Sequence, residues 1–356
     1  MSLTTPSLTT PSLTMPSLTM HIHGSEDLRY TETEAPSPGP HDVRVRLGAA
    51  GICGSDLHYF FHGKVGAFVI REPLTPGHEA AGIVDAVGSA VTRLAPGMKV
   101  AINPSHACGQ CDYCREGRDN LCRNMRFLGS ASVYPHVQGM FRQHFLMHER
   151  QLTPVDTDLS LGELAFAEPL SVALHGVNRA GPLLGKTVLV TGGGTIGSLT
   201  VMAARLAGAA RIVVCDIADR PLEVARTVGA DETIRSDQAT PAELQDIADI
   251  SLEAAGSPGA LATCLAATRR GGRIVQIGTL PAEGLHFPAN SVMARELDYV
   301  GAFRFGREFD WAVQTLARRR LDVRPLLSAQ LPLARAIEAF HLAADKGRST
   351  KVQLTG

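Results

Sequence analysis

The sequence lacks any uninterrupted apolar run of the roughly 18 residues that a membrane-spanning helix needs. Its first residues have neither the charged start nor the apolar core of a secretory signal. It also lacks an excess of charge of one sign, since 34 basic and 35 acidic residues give a formal net charge of -1. General attraction to nucleic acid or to a membrane is therefore not expected. We predict a cytoplasmic protein that handles a small molecule.

Cysteine is scarce, and most of it lies in one short segment. Four of the seven cysteines fall between positions 108 and 122, whereas Cys53, Cys215 and Cys264 are far apart in sequence. Without a secretory signal, clustered cysteines favour metal binding, and a disulfide framework is the weaker alternative.

Residues 1–20 form the only internal repeat, four pentads that read MSLTT, PSLTT, PSLTM and PSLTM. The repeat is short and rich in Pro, Ser and Thr, so it is not expected to bury a hydrophobic face. A disordered leader, a misplaced start upstream of Met20 and a cloning remnant are the alternatives. We therefore leave residues 1–20 out of the predicted fold.

The remaining chain is long enough for two domains. Short apolar runs broken by Gly, Pro and Asn predict a mostly β first part; they lie at 43–47, 80–87 and 99–102. From about residue 165 the pattern changes to strand-like runs that alternate with Ala- and Leu-rich helical stretches; the runs lie at 187–190, 211–215 and 273–277. This alternation is typical of a doubly wound parallel sheet, so the predicted class is α/β.

The C-terminal part predicts two further helices, at 309–319 and around 334–344. We expect them to return to the first domain, which makes that domain discontinuous. The predicted organisation is one domain of residues 21–157 and 304–356, and a cofactor domain of residues 158–303.

The cysteine cluster has the spacing Cys-x2-Cys-x2-Cys-x7-Cys, formed by Cys108, Cys111, Cys114 and Cys122. Four closely spaced thiolates can close a tetrahedral shell around zinc without water. A zinc ribbon that binds nucleic acid is the alternative, but this segment carries little net positive charge. The spacing predicts a structural zinc site.

A second donor set combines Cys53, His78 and Glu79 with the more distant Glu168. Thiolate, imidazole and carboxylate are the ligands of catalytic zinc sites, which keep one position open. Taken singly, Cys53 would be a buried small residue and His78 a loop histidine. Together with the carboxylates they favour a metal, and Asp56 is the predicted partner for the second nitrogen of His78.

Ser55 and His58 follow Cys53 closely in the sequence. Oxidation of an alcohol requires its proton to leave a water-excluded site, and a hydroxyl followed by a histidine makes a suitable relay. The alternative is a serine that caps a turn and a histidine that faces solvent.

A glycine turn follows the apolar run 188–190, with Gly192, Gly194 and Gly197 in the pattern Gly-x-Gly-x-x-Gly. Such glycines allow a tight turn and close approach of a dinucleotide pyrophosphate. Asp216, about twenty residues further on, is placed to accept the ribose hydroxyls of NAD, or to cap a helix. Arg220 keeps binding of NADP open, because a guanidinium can bind the 2′-phosphate.

The chain resembles the zinc-containing medium-chain alcohol and polyol dehydrogenases from about residue 20 onward. The matching blocks are GICGSDLHYF, GKVGAF, PGHEAAG, AINPSHACGQCDYC, MRFLGSA, FAEPLSVALHG, GAFRF, PLLSA and KVQL. The resemblance implies a mostly β, GroES-like catalytic domain and a Rossmann cofactor domain.

By this resemblance Cys53, His78 and Glu79 bind a catalytic zinc, with Glu168 as a direct or water-mediated ligand. It assigns the relay to Ser55 and His58. It also gives Tyr59 and Arg304 as residues of the substrate pocket, and places Thr195 and Ile196 at the cofactor, with Ile196 behind the nicotinamide ring.

The resemblance implies zinc-dependent hydride transfer between NAD, or NADP, and a hydroxyl carbon of a sugar acid or polyol, in a homo-dimer or homo-tetramer. A sugar acid needs a cation several carbons from the zinc, and the candidates are Lys64, Arg126 and Arg304. The alternatives are another substrate, such as a polyol or threonine, and a non-enzymatic NAD-binding protein.

Overall fold

The computed structural model describes residues 15–281 and 284–356. The first part, up to residue 154, is mostly β, and its elements are β1 (Pro16–Gly24), β2 (Asp27–Glu34), β3 (Asp42–Gly51), α1 (Gly54–His62), β4 (Lys64–Val65), β5 (Phe68–Val69), β6 (Glu79–Val87), β7 (Lys99–Ile102), β8 (Ser105–His106), α2 (Asp112–Arg115), β9 (Arg126–Phe127), β10 (His144–His148) and β11 (Leu152–Pro154).

Helices and strands then alternate, with the elements α3 (Leu161–Leu164), α4 (Ala167–Ala180), β12 (Thr187–Thr191), α5 (Thr195–Leu206), β13 (Arg211–Asp216), α6 (Asp219–Thr227), β14 (Glu232–Arg235), α7 (Pro241–Leu244), β15 (Ala248–Glu253), α8 (Pro258–Ala267), β16 (Thr268–Gln276), α9 (Ala289–Ala294) and β17 (Asp298–Gly301). The chain closes with α10 (Glu308–Ala317), β18 (Leu327–Pro332), α11 (Ala336–Ala344) and β19 (Lys351–Thr355). Short 3-10 helices occupy Asp119–Leu121, Glu149–Gln151, Arg324–Leu326 and Leu333–Arg335.

The first sheet has the strand order β11-β7-β6-β3-β19-β18, and β10 also pairs with β3. Its neighbours are antiparallel except β18 and β19, which are parallel. In β3, Val43, Val45 and Leu47 are buried and the intervening arginines are more exposed. The predicted period-two strand is therefore confirmed, and it forms the middle of the sheet.

The second sheet is parallel throughout, with the order β14-β13-β12-β15-β16-β17. Val188, Leu189 and Val190 of β12 are all 0% exposed, as expected for a strand covered by helices on both faces. The strand order reverses direction between β12 and β15, and this switch point is where doubly wound folds bind ligands. The predicted α/β class is confirmed.

The N-terminal repeat enters the fold further than predicted. Residues 1–14 lie outside the described residues, but Pro16–Gly24 forms β1 and pairs with β2. Ser17 Oγ accepts a hydrogen bond from the His144 amide, and Leu18 N–H donates to Gln143 Oε1. The exclusion of residues 16–20 from the fold was wrong, because strand pairing satisfies this backbone without needing a wide hydrophobic face.

Helix α10 packs on α4 before the chain returns to the first sheet. Glu308 joins the two helices by accepting hydrogen bonds from His175 (3.1 Å) and Asn178 (2.9 Å), and it also accepts from the Gly306 amide (2.8 Å). Burial opposes ionisation of Glu308, but these bonds outweigh it and lower its pKa to about 2. The residues between β17 and α10 are thereby fixed against α4.

The C-terminal strand β19 lies between β3 and β18 in the first sheet. Strands from the N-terminal and C-terminal parts of the chain thus share one sheet. The domain boundaries at 157/158 and 303/304 stay predictions. Within the described ranges, the helices are too short or too polar to cross a membrane.

Candidate active site and metal centres

Cys53, His78 and Glu79 converge at the start of β6 in the first sheet, where each offers a ligand atom within 4.8 Å of the others. Cys53 is the N-cap residue of α1, and Glu79 opens β6 directly after His78. His78 and Glu79 are 7% and 2% exposed. These donor types fit a catalytic zinc ion.

Asp56 holds together the two segments that carry these ligands. Its carboxylate accepts hydrogen bonds from the amides of Cys53 (2.9 Å) and Gly77 (3.1 Å). His78 Nδ1 lies 3.7 Å from Asp56 Oδ1, which is longer than a hydrogen bond. Asp56 thus lies beside the His78 imidazole as predicted, but the hydrogen bonds that it accepts come from backbone amides next to both ligands.

Burial and neighbouring charges shift the pKa values in this cluster. Burial opposes protonation of His78, but Asp56 and Cys53 outweigh it and raise its pKa well above the ordinary value. Burial raises the pKa of Glu168 to about 8. Metal ligands must be deprotonated, so metal binding here displaces protons.

Glu168 lies in the first turn of α4. It is 5% exposed, and the charges of His78 and Glu79 are close enough to act on its carboxyl group. The three-residue group whose ligand atoms lie within 4.8 Å does not include it among the described residues. Glu168 is therefore a second buried carboxylate beside the cluster.

Lys351, the first residue of β19, completes this cluster and was missed in the sequence. Its Nζ donates to both carboxylate oxygens of Glu79 (2.9 and 2.6 Å) and to the Ile52 carbonyl (2.9 Å). Glu79 fits against β3 because Gly51 lacks a Cβ, which would overlap Glu79 Oε2. Glu79 and Cys53 outweigh the effect of burial and raise the pKa of Lys351.

Ser55 and His58 lie on α1, three residues apart and thus on neighbouring turns. Ser55 is half-buried and His58 is exposed. Partial burial, His62 and Lys346 lower the pKa of His58. The helix therefore leads from the metal ligands at its first turn to a solvent-facing imidazole.

A wall beside His78 is formed by Phe127 and Arg304. The Phe127 ring centroid is 5.6 Å from that of His78, and the Arg304 guanidinium lies 4.8 Å from the Phe127 ring. Arg304 has a positive φ of 56°, uncommon for a residue other than glycine. Burial lowers its pKa, while Cys122 and Glu168 oppose this effect. Arg304 thus places a positive charge near the candidate metal site.

The other residues predicted to line the substrate pocket, Lys64, Arg126 and Tyr59, are not part of the wall beside His78. Lys64 and Arg126 are exposed, and side chains of adjacent strand residues point to opposite faces, so Arg126 points away from the wall that Phe127 joins. Tyr59 is 3% exposed, and its hydroxyl accepts a hydrogen bond from the Ala131 amide (2.9 Å). Tyr59 therefore positions the loop near residue 131.

Cys108, Cys111, Cys114 and Cys122 form the second donor group, again with ligand atoms within 4.8 Å of one another. All seven cysteines of the chain are free thiols, so the disulfide alternative is not supported. Backbone amides of Gln110 and Cys111 lower the pKa of Cys108 to about 6. Such amides stabilise thiolates, and four thiolates fit a closed zinc site.

This cysteine-rich segment also contacts the residues that carry Arg304. Asn120 Nδ2 donates to the Phe303 carbonyl at 3.0 Å. A change in the four-cysteine site can therefore reach the wall formed by Phe127 and Arg304.

The glycine turn joins β12 to α5 at the switch point of the parallel sheet. Gly192 has a φ of 88°, and a Cβ there would overlap Ala255. A Cβ at Gly197 would overlap the Gly192 carbonyl. Gly194 is the N-cap of α5, whose N-terminus can bind phosphate. The geometry fits the predicted dinucleotide turn.

Asp216 ends β13 beside this turn. Its Oδ2 accepts a hydrogen bond from the Gly193 amide (2.7 Å) and its Oδ1 from the Ala218 amide (3.0 Å). Arg220 lies on α6, half exposed, and its nearest carboxylate contact is Glu223 at 3.9 Å. Asp216 thus stabilises the glycine turn and places a carboxylate at the position predicted for the ribose of the dinucleotide.

Thr195 and Ile196 begin α5, and both are half-buried. The Thr195 hydroxyl donates to the Thr350 carbonyl at 2.7 Å. Because Lys351 follows Thr350, one short segment links the glycine turn with Glu79, a contact that the sequence did not predict.

Comparison with known families gives two matches. Residues 39–157 match the alcohol dehydrogenase GroES-like domain, and residues 195–318 match the zinc-binding dehydrogenase domain. The GroES-like assignment made from the resemblance is therefore confirmed.

Curated relatives and solved structures agree with these matches. L-idonate 5-dehydrogenase (NAD(P)(+)) of Escherichia coli is 41% identical over 313 residues, covering 87% of this chain and 90% of the relative. Sorbitol dehydrogenase of Gallus gallus is 36% identical over 341 residues, 94% of each chain.

A crystal structure of E. coli L-idonate 5-dehydrogenase superposes with a TM-score of 0.92 at 38% identity, covering 97% of this chain and 99% of that one. A structure of a zinc-binding dehydrogenase from Sinorhizobium meliloti bound to NADP superposes with a TM-score of 0.88 at 30% identity, covering 96% of this chain and 100% of that one. These similarities extend across both sheets.

Proposed function

Because this chain belongs to the zinc-binding alcohol dehydrogenase family, we propose that it interconverts L-idonate and 5-keto-D-gluconate with NAD(H). The chain is an enzyme of the alcohol and polyol dehydrogenase class and uses zinc and NAD(P). The choice of L-idonate rests on Arg304, a half-buried cation close to the candidate metal site.

Cys53, His78 and Glu79 would hold the catalytic zinc, with Glu168 as the second carboxylate, and the four-cysteine segment would hold a structural zinc. A zinc ion at the first site supplies a Lewis acid that favours loss of the hydroxyl proton, and NAD(P) accepts the hydride. Asp56 and Lys351 fix the ligand segments before substrate arrives.

Ser55 and His58 would move the proton. The Ser55 hydroxyl would accept it beside the metal ligands while giving up its own proton towards His58, which is exposed, has a lowered pKa and would release a proton to solvent. Ile196 and the glycine turn would orient the nicotinamide, and Phe127 would exclude water. Assembly into a homo-dimer or homo-tetramer stays a prediction.

Substrate preference is expected to depend on Arg304. The Arg304→Gln variant should raise KM for L-idonate about tenfold more than KM for sorbitol, because the acid loses a charge-assisted hydrogen bond. Initial rates with both substrates, followed by the absorbance of reduced nicotinamide, measure this difference. Lys64→Ala, which removes an exposed cation, should change neither KM.

Sorbitol or xylitol oxidation is the second candidate, favoured by the sorbitol dehydrogenase relative that covers 94% of the chain. If the wild-type enzyme turns over sorbitol far more efficiently than L-idonate, the polyol assignment replaces the first one. The metal and cofactor assignments would be unaffected.

NAD is expected to be preferred over NADP by about ten- to a hundredfold in kcat/KM, because the Asp216 carboxylate repels a 2′-phosphate. Asp216→Asn should reduce this preference, whereas Arg220→Ala should leave it or increase it. Equal efficiency with both cofactors in the wild-type enzyme would show that Arg220 outweighs Asp216.

A further inference from the structure

Lys351 places a buried ammonium group on a carboxylate that is also a candidate metal ligand. Both oxygens of Glu79 accept from Lys351 Nζ, and the third donor of the ammonium goes to the Ile52 carbonyl, next to Cys53. Lys351 and Glu79 are 4% and 2% exposed. Their attraction is therefore poorly screened by solvent.

The backbone of Lys351 is held from several sides. The Thr350 carbonyl accepts from the Thr195 hydroxyl, and the Thr350 amide donates to Ser328 Oγ at 2.8 Å. Lys351 pairs with Leu327 in the sheet. With its backbone fixed and its three donors used, the ammonium has no alternative position that keeps its bonds.

The charges at this site create a competition. A thiolate and the Glu79 carboxylate together match the two positive charges of zinc, and Lys351 adds a further positive charge on the same carboxylate. Without the metal, the ammonium prevents Glu79 from being a buried, unpaired anion. With the metal bound, the two cations share Glu79 and repel each other.

We propose that Lys351 is a positioning residue that replaces the metal as the counter-ion of Glu79 and competes with it, so that zinc at the Cys53, His78 and Glu79 site remains exchangeable. The inference deepens the proposed function and rests on its zinc site. Removal of the ammonium should strengthen zinc binding and destabilise the metal-free protein.

The test is zinc release from the purified holoenzyme to a chromogenic chelator. In Lys351→Met, release from the Cys53 site should slow by about tenfold or more, because a repelling charge is lost. Lys351→Arg keeps the charge and should stay within about threefold of wild type. Release from the four-cysteine site should be the same in all variants.

Lys99→Met is the matched control. Lys99 Nζ also donates to two carbonyls, those of Thr157 (3.1 Å) and Leu159 (2.7 Å), but it contacts no candidate ligand among its recorded bonds in the described structure. The Lys99→Met variant should therefore release zinc at the wild-type rate. A second measurement compares melting temperatures with and without chelator, and zinc should raise the Tm of Lys351→Met more than that of wild type.

Folding of Lys351→Met only in the presence of zinc would support the inference, because the metal then supplies the missing positive charge. Faster release from Lys351→Met, unchanged release, or equal slowing in the Met and Arg variants would overturn it. If wild type and Cys53→Ser contain the same single zinc, the metal site itself fails, and with it the proposed function.

Discussion

Cys53→Ser is expected to lower kcat by about 10³-fold or more, because the site loses the thiolate that helps to hold the Lewis acid. The fold should survive, since Cys53 lies at a helix N-cap and Asp56 still accepts the residue 53 amide. Zinc content should fall from two ions to one per chain, measured by elemental analysis beside the rate.

Cys264→Ser makes the same chemical change away from both donor groups. Cys264 is 0% exposed, and its sulfur contacts the Thr191 hydroxyl at 3.4 Å, a bond that serine can also form. This control should retain two zinc ions and near wild-type turnover. Full activity of Cys53→Ser with one zinc would refute the assignment of the catalytic site.

Cys111→Ser is expected to act on stability first. Loss of a ligand opens the four-cysteine site, and structural zinc contributes folding free energy directly. We expect a loss of about 3 kcal/mol or more in the free energy of unfolding, which lowers Tm by roughly 4 °C for a chain of this size. Thermal unfolding followed by circular dichroism measures the change.

Cys111→Ser should also raise KM, because Asn120 in this segment holds the Phe303 carbonyl next to Arg304. Comparison with Cys53→Ser separates the two sites, since each variant should lose one zinc ion but only Cys111→Ser should lose much stability. A Cys111→Ser protein with two zinc ions and an unchanged Tm would contradict a structural role.

Local patterns predicted the parallel sheet well because each strand carries its own signal. Buried strands such as β12 and β13 are continuous apolar runs, and the glycine turn marks the start of α5. Thr195 and Ile196 belong to this helix although both have weak helix propensity, and Gly194 caps it. Packing against the sheet overrides that preference.

Both metal-donor groups could be predicted because their residue types and spacing have a chemical meaning. Lys351 and Phe127 could not, since each reaches the site from a distant segment and neither has an unusual local pattern. Asp56 was predicted correctly as the carboxylate beside His78, but its hydrogen bonds to two backbone amides were not predicted. Its role through amides depends on the helix cap, which only the three-dimensional structure gives.

The position of β19 has a consequence for the order of events during synthesis. The four-cysteine segment is contiguous and could take up zinc while translation continues, and the parallel sheet could fold as its strands emerge. Lys351, by contrast, follows Glu79 by 272 residues, so the first sheet lacks β19 until this much later segment has been synthesised. The ligands of the Cys53 site are thus synthesised long before the ammonium that competes with zinc for Glu79, and we expect zinc to enter this site before β19 joins the sheet.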